Sequence, residues 1–248
     1  MRLATFKPSE FTFPWLQLTK YEGTLNDLEM FIVAPNLTEL ICVFEPDEVA
    51  DLTVITHRNL RSLTILEYSD DVIRYLTLPA LTHLISRHLD NLESFLARSS
   101  PVLVSLSVEG NVEESDFDKL GKSMSLVANT LESLEFFDIF NTHTGPIFRF
   151  LRRHLHNIRA LTFRDVHGPL PLHSLVYFLY AHSAQLRTFR LVWTSSPFLD
   201  DTIGVTAGAL ETFDTVGGHL TRLAQTGMDI YLGTHVKNYV PVSSAIQQ

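Results

Sequence analysis

Apolar residues recur along this chain in one short template, LxxLxL, in which other apolar residues can stand for leucine. It fits at Leu37-Leu40-Cys42, Leu60-Leu63-Ile65, Leu81-Leu84-Ser86 and Leu103-Leu106-Val108. It fits again at Leu131-Leu134-Phe136, Ile158-Leu161-Phe163, Leu186-Phe189-Leu191 and Leu210-Phe213-Thr215. Successive first positions are separated by 23, 21, 22, 28, 27, 28 and 24 residues. The first two positions are apolar in all eight copies, in a chain whose hydrophobic content is 45%. A ninth copy is expected to begin at Trp15-Leu18.

Each template reads as a short strand with its apolar residues inward and the intervening residues outward. Between templates, residues 24–34, 145–157 and 171–184 space apolar residues by three and four, which predicts helices. Pro146 and Pro171 suit the first turns of the last two. A single such unit cannot bury its own apolar face, so the copies must stack. Periods of about 20–29 residues are those of a leucine-rich repeat. The fold expected is therefore α/β: one solenoid of eight or nine irregular turns over residues 1–235, with a curved parallel sheet on the concave side and helices on the convex side. Residues 236–248 read as a cap and a loose tail. Three residues past the template, only Asn111 supplies an asparagine, so no asparagine ladder is expected there.

Composition narrows the function. The formal net charge of −9 disfavours nucleic acid, whose phosphates need a basic surface. Cys42 is the only cysteine, which excludes an internal disulfide and any CxxC site. The N-terminal "MRLATFKPSEFTFPW" lacks the apolar core of a secretory signal, and no apolar run reaches the length of a membrane span. An intracellular location, cytoplasmic or nuclear, is the expectation.

Candidate chemistry is sparse. The histidine pairs His83/His88, His154/His156 and His167/His173 lack metal-ligand spacing, so no metal site is expected. GxSxG is absent. The glycines of "TIGVTAGAL" (202–210) and Gly217-Gly218 read as turns, and Cys42 as a small core residue. No catalytic residue and no cofactor is expected.

What remains is the outward face of the strands. The residue after the first template position runs Thr38, Arg61, Thr82, Val104, Glu132, Arg159, Arg187, Glu211. The residue before the last runs Ile41, Thr64, Ile85, Ser107, Glu135, Thr162, Arg190, Asp214. The second half thus carries a charged stripe, with Phe137, Asp138, Arg164, Asp165, Val192 and Trp193 just beyond. Either these charges only solvate the face, or they bind an unidentified protein. Candidate binding residues are Glu132, Glu135, Phe137, Arg159, Arg164, Arg187, Arg190 and Trp193, with Phe137 and Trp193 as aromatic anchors.

The phrases "PWLQLTKYEG" (14–23), "APNLTEL" (34–40), "LTLPALTHL" (76–84) and "FLARSSPVLVSLSV" (95–108) resemble the repeat region of fungal, mushroom-type F-box proteins. They occur in matching order, and the resemblance covers residues 13–215. It implies substrate-recognition repeats of a ubiquitin-ligase adaptor. No F-box is expected within these residues, since few precede the first phrase and no Leu-Pro-x-Glu opening is found. Ligase adaptor subunits are expected as partners only if an F-box lies upstream. The alternative is a structural repeat remnant of a truncated gene with no ligase connection.

Overall fold

A computed structural model describes residues 14–45, 53–66, 72–87, 89–109, 114–140, 144–154, 157–168, 172–194, 207–236 and 238. Its architecture is α/β, with a large parallel sheet that does not close into a barrel. Parallel neighbours require a crossover between strands, and helices or helical turns occupy most of these connections among the described residues. The contacts resolve into two compact units, Met1–Val108 with Asp118–Leu131, and Glu109–Phe117 with Glu132–Gln248. No helix among the described residues is long and apolar enough to cross a membrane.

In the first unit the strands are β1 (Lys20–Leu25), β2 (Glu39–Phe44), β3 (Ile55–Thr56), β4 (Ser62–Ile65), β5 (Leu76–Thr77), β6 (His83–Ser86) and β7 (Ser105–Glu109). The main order is β1-β2-β4-β6-β7, and β3 pairs separately with β5. Leu40, Leu63, Leu84 and Leu106 are successive register partners, and all are buried. Each buried leucine contributes about 1.5–3 kcal/mol, so this column alone is a substantial part of the core. The helices are α1 (Met30–Val33), α2 (Leu92–Ser99) and, from Asp118 onward, α3 (Glu114–Leu126).

Side chains also tie one strand connection to the next. Asn36 Nδ2 donates to the Leu16 carbonyl at 2.7 Å and Asn59 Nδ2 to the Pro35 carbonyl at 2.8 Å. Both asparagines directly precede the first template leucine. A short asparagine ladder therefore exists, one residue before each of these templates and not three residues after it. Thr38 and Thr82 hydroxyls add rungs to the Thr19 and Arg61 carbonyls, each at 3.0 Å. Buried His57 spans the same gap: its Nδ1 accepts the Leu60 N–H at 3.1 Å, so Nε2 carries the proton and donates to the Ala34 carbonyl at 3.0 Å. The two His57 bonds satisfy backbone groups that burial would otherwise leave unpaired.

The segment "FLARSS" shows why its residues belong together. Leu92, Phe95, Leu96 and Ser99 form the buried stripe of α2 at helical spacing. Arg98 reaches out of that helix to the carbonyls of Ile73, Arg74 and Leu76, at 2.8, 3.1 and 2.8 Å from Nη2. Ser99 Oγ accepts the Leu78 N–H at 3.0 Å. Ser100 turns left-handed at φ 43° and closes the helix through its N–H to the Leu96 carbonyl.

The second unit carries β8 (Ser133–Phe140), β9 (Ala160–His167), β10 (Thr188–Trp193) and β11 (Asp229–Thr234), in that order. Its helices are α4 (Thr144–His154), α5 (Leu172–His182) and α6 (Ala207–Gln225). Leu134, Leu161, Phe189 and Ile230 form one interior column, and Phe136, Phe163, Leu191 and Leu232 the next. Phe163 is the hub, with ring centroids 5.8 Å from Phe136, 5.7 Å from Phe148 and 5.9 Å from Phe189.

Several expectations need correction. Leu210-Phe213-Thr215 is not a strand but part of α6. The strand that pairs with β10 lies further on, where Ile230 follows Phe189 by 41 residues. The long helix enlarges this connection, so the next strand lies beyond a period of about 20–29 residues. Gly217-Gly218 is likewise helical rather than a turn. Residues 24–34 are not one helix: Thr24 and Leu25 end β1, and only Met30–Val33 is α-helical. The ninth copy is shifted by three, because Tyr21 pairs with Leu40 and Gly23 with Cys42. Gly204 lies outside the described residues, as does most of the tail, although Asn238 Oδ1 accepts the Leu232 N–H.

The two helical glycines yield a stability prediction. A Cβ at Gly217 or Gly218 would meet nothing within 4 Å, while glycine inside a helix costs about 0.5–1 kcal/mol relative to alanine. The double change Gly217→Ala/Gly218→Ala should therefore raise stability by about 1–2 kcal/mol, read as a higher urea midpoint. An unchanged or lower midpoint would count against a helix through these residues.

Candidate functional site

The outward residues of β8 to β11 fall into rows because the strands are in register. Glu132, Arg159 and Arg187 stand just before β8, β9 and β10 and are linked by backbone bonds, Arg159 N–H to Glu132 O at 2.8 Å and Arg187 N–H to Arg159 O at 2.7 Å. The next row is Ser133, Ala160, Thr188 and Asp229. The following one is Glu135, Thr162, Arg190 and Tyr231. Glu132, Arg159, Arg187 and Arg190 are exposed. The expected fourth member of the first row, Glu211, belongs to α6 instead, as does Asp214, so neither continues the stripe.

Beyond these rows the strands differ in length. On β8 and β9, Phe137 pairs with Arg164 and Ile139 with Val166, which sets Asp138 beside Asp165. Both aspartates have φ 56°, a left-handed conformation that aspartate tolerates better than most residues. On β10, Leu191 pairs with Phe163 but Trp193 already pairs with Val166. Val192 therefore opposes both Arg164 and Asp165, the two-against-one count of a bulge. The extra residue bends the chain without flipping the interior positions.

This bulge overturns part of the candidate site. Trp193 is the β10 equivalent of Val166, and its side chain is 1% exposed; it is a core residue, not a surface anchor. Phe137 faces outward but is 5% exposed, covered by the Arg164 guanidinium 5.3 Å from its ring centroid. A fixed-spacing template cannot register a missing residue, which is why Trp193 read as an outward residue like Asp165.

The charges sort into two classes. Arg164 is held: Nε lies 2.6 Å from Glu135 and Nη1 2.7 Å from Asp165. Burial pulls its pKa down, but the bonds and charges of Glu135 and Asp165 outweigh this, so it sits above its ordinary value. Asp165 also meets His235 at 3.1 Å, and Asp138 meets His167 at 2.9 Å; His167 stacks on Phe140 at 4.9 Å. These contacts brace the bulge. Arg159 and Arg190 are looser, each 3.9 Å from an acid, Glu132 and Asp229 respectively. Arg187 has no side-chain bond or ion pair among the described residues.

Reactive chemistry is limited among the described residues. Cys42 is buried, and burial pushes its thiol up to about 12, so it stays protonated near neutrality. No three His, Cys, Asp or Glu side chains gather to hold a metal among the described residues. His154 stacks on Phe150. The sequence alone could not have singled out the network of Glu135, Arg164, Asp165 and His235, because His235 is 70 residues from Asp165. No family model, curated protein or solved structure matches this chain.

Proposed function

We propose that this chain is a leucine-rich-repeat solenoid that binds a protein on its outward sheet face and catalyses no reaction. The reading extends to a role like that of the substrate-recognition repeats of F-box ubiquitin-ligase adaptors, with ligase subunits joined only through an F-box. The observation that carries it is the row arrangement on β8 to β11. A parallel register keeps Arg159, Arg187 and Arg190 exposed on neighbouring strands, with loose or no internal partners. Arginine is among the residues that dominate binding hot spots. Phe137 and Trp193 have no part in it, since both are buried.

Affinity purification with the wild-type chain, followed by calorimetry on the recovered protein, tests this. Arg190→Glu should weaken that binding by about 2 kcal/mol or more. Its thermal stability should stay within about 0.5 kcal/mol of wild type, as for most exposed substitutions. A stable variant that still binds every recovered protein normally would remove this face from the function and favour a structural repeat remnant.

A further inference from the structure

We propose that the segment bound on this face is acidic, a run of aspartates and glutamates lying across β9 and β10; this rests on the protein-interaction reading above. The burial of Phe137 and Trp193 decides what kind of contact is left. The large exposed apolar side chains among the described residues include Ile32, Val102, Tyr177 and Tyr180, and none of those described stands in the outward rows of β9 or β10. Charge is what these rows offer.

The three arginines differ from the structural ones. Arg98 and Arg164 make short bonds to carbonyls and carboxylates. Arg159 and Arg190 stand 3.9 Å from their nearest acids, beyond hydrogen-bond range, and Arg187 has no acid partner among the described residues. Each guanidinium carries five N–H donors in a fork that matches a carboxylate. Between them lie only small, half-buried side chains, Ala160, Thr162 and Thr188, so an extended peptide can approach the sheet closely.

Spacing supports a peptide rather than a single carboxylate. Arg159 and Arg187 are neighbours across strands, about 4.8 Å apart at the backbone. Arg190 is three residues beyond Arg187, about 10 Å along the strand. A carboxylate at one end of a short acidic run can meet Arg159 and Arg187 while another meets Arg190. The whole chain carries −9, so attraction depends on this local cluster and is screened beyond about 10 Å at moderate salt.

The test uses the full chain and a fluorescein-labelled octaglutamate peptide, with octaglutamine as the uncharged control, followed by anisotropy. Wild type should bind octaglutamate, and Arg187→Gln/Arg190→Gln should bind it about tenfold more weakly or worse. Arg58→Gln/Lys122→Gln, which removes the same charge from exposed residues of the first unit, should stay within about twofold of wild type. Equal weakening by both double variants, no binding by wild type, or tighter binding of a single-stranded oligonucleotide of matched charge would overturn the proposal. If a cellular partner is lost on Arg190→Glu yet octaglutamate neither binds nor displaces it, acid recognition falls and the protein-interaction reading stands.

Discussion

Trp193→Ala should lower the stability of the folded chain by about 3–5 kcal/mol, the range for truncating a large aromatic in a packed core. Its ring is one of the largest fully buried side chains of the protein, and it pairs with Val166 on one side and Thr234 on the other. Removing it opens a cavity that two flanking strands cannot collapse without losing their register. Urea unfolding measures the loss. The chain has two tryptophans, Trp15 and Trp193, so Trp15→Phe leaves Trp193 as the sole indole fluorophore. Its emission should be blue-shifted when folded and move red on unfolding. A variant that melts like wild type, or a solvent-like emission in the folded state, would place Trp193 at the surface and cancel the bulge alignment.

The second large effect is expected at Arg98. Arg98→Ala strands the carbonyls of Ile73, Arg74 and Leu76, which receive the guanidinium at 2.8–3.1 Å. Hydrogen bonds to a charged donor are worth about 1.5–3 kcal/mol each. Water can reach part of this site, so the loss should be about 3 kcal/mol rather than the full sum. Arg98→Lys separates charge from geometry. Lysine keeps the cation but lacks the planar fork, so it should recover less than half of the loss. Recovery to wild-type stability by lysine would mean that the positive charge at the end of α2 matters, and not the triple carbonyl clamp. Equilibrium urea titrations of the three proteins decide between these.

Both residues show where reading the chain succeeds and where it stops. The template at Leu37 through Leu191 marked the interior correctly, because alternation is local: an inward residue is followed two steps later by another whatever the rest of the chain does. The first seven copies are buried throughout, and the strands that carry them are parallel. Leu210-Phe213-Thr215 failed for the complementary reason. Apolar residues three apart suit a helix as well as this template, and α6 took them.

The charged face was legible as a list but not as a site. Arg159, Arg187 and Arg190 were found from their columns, and Glu132 does stand near Arg159. What those columns could not supply was the bulge. One extra residue in β8 and β9, absent from β10, changed which side chain follows Phe163 and which follows Leu191 into the core. Arg164 was thereby committed to Glu135 and Asp165, and Phe137 disappeared beneath it.

Sequence alone determined the inward positions, the parallel repetition they demand and the absence of familiar catalytic motifs, because these follow from residue type and spacing over a few positions. Tertiary structure decided the eleventh strand, the burial of Trp193 and the division of arginines into held and loose. Those outcomes depend on which backbone lies beside which. That pairing brings together His235 with Asp165 and Trp193 with Val166, residues distant in the chain and free of any local signature.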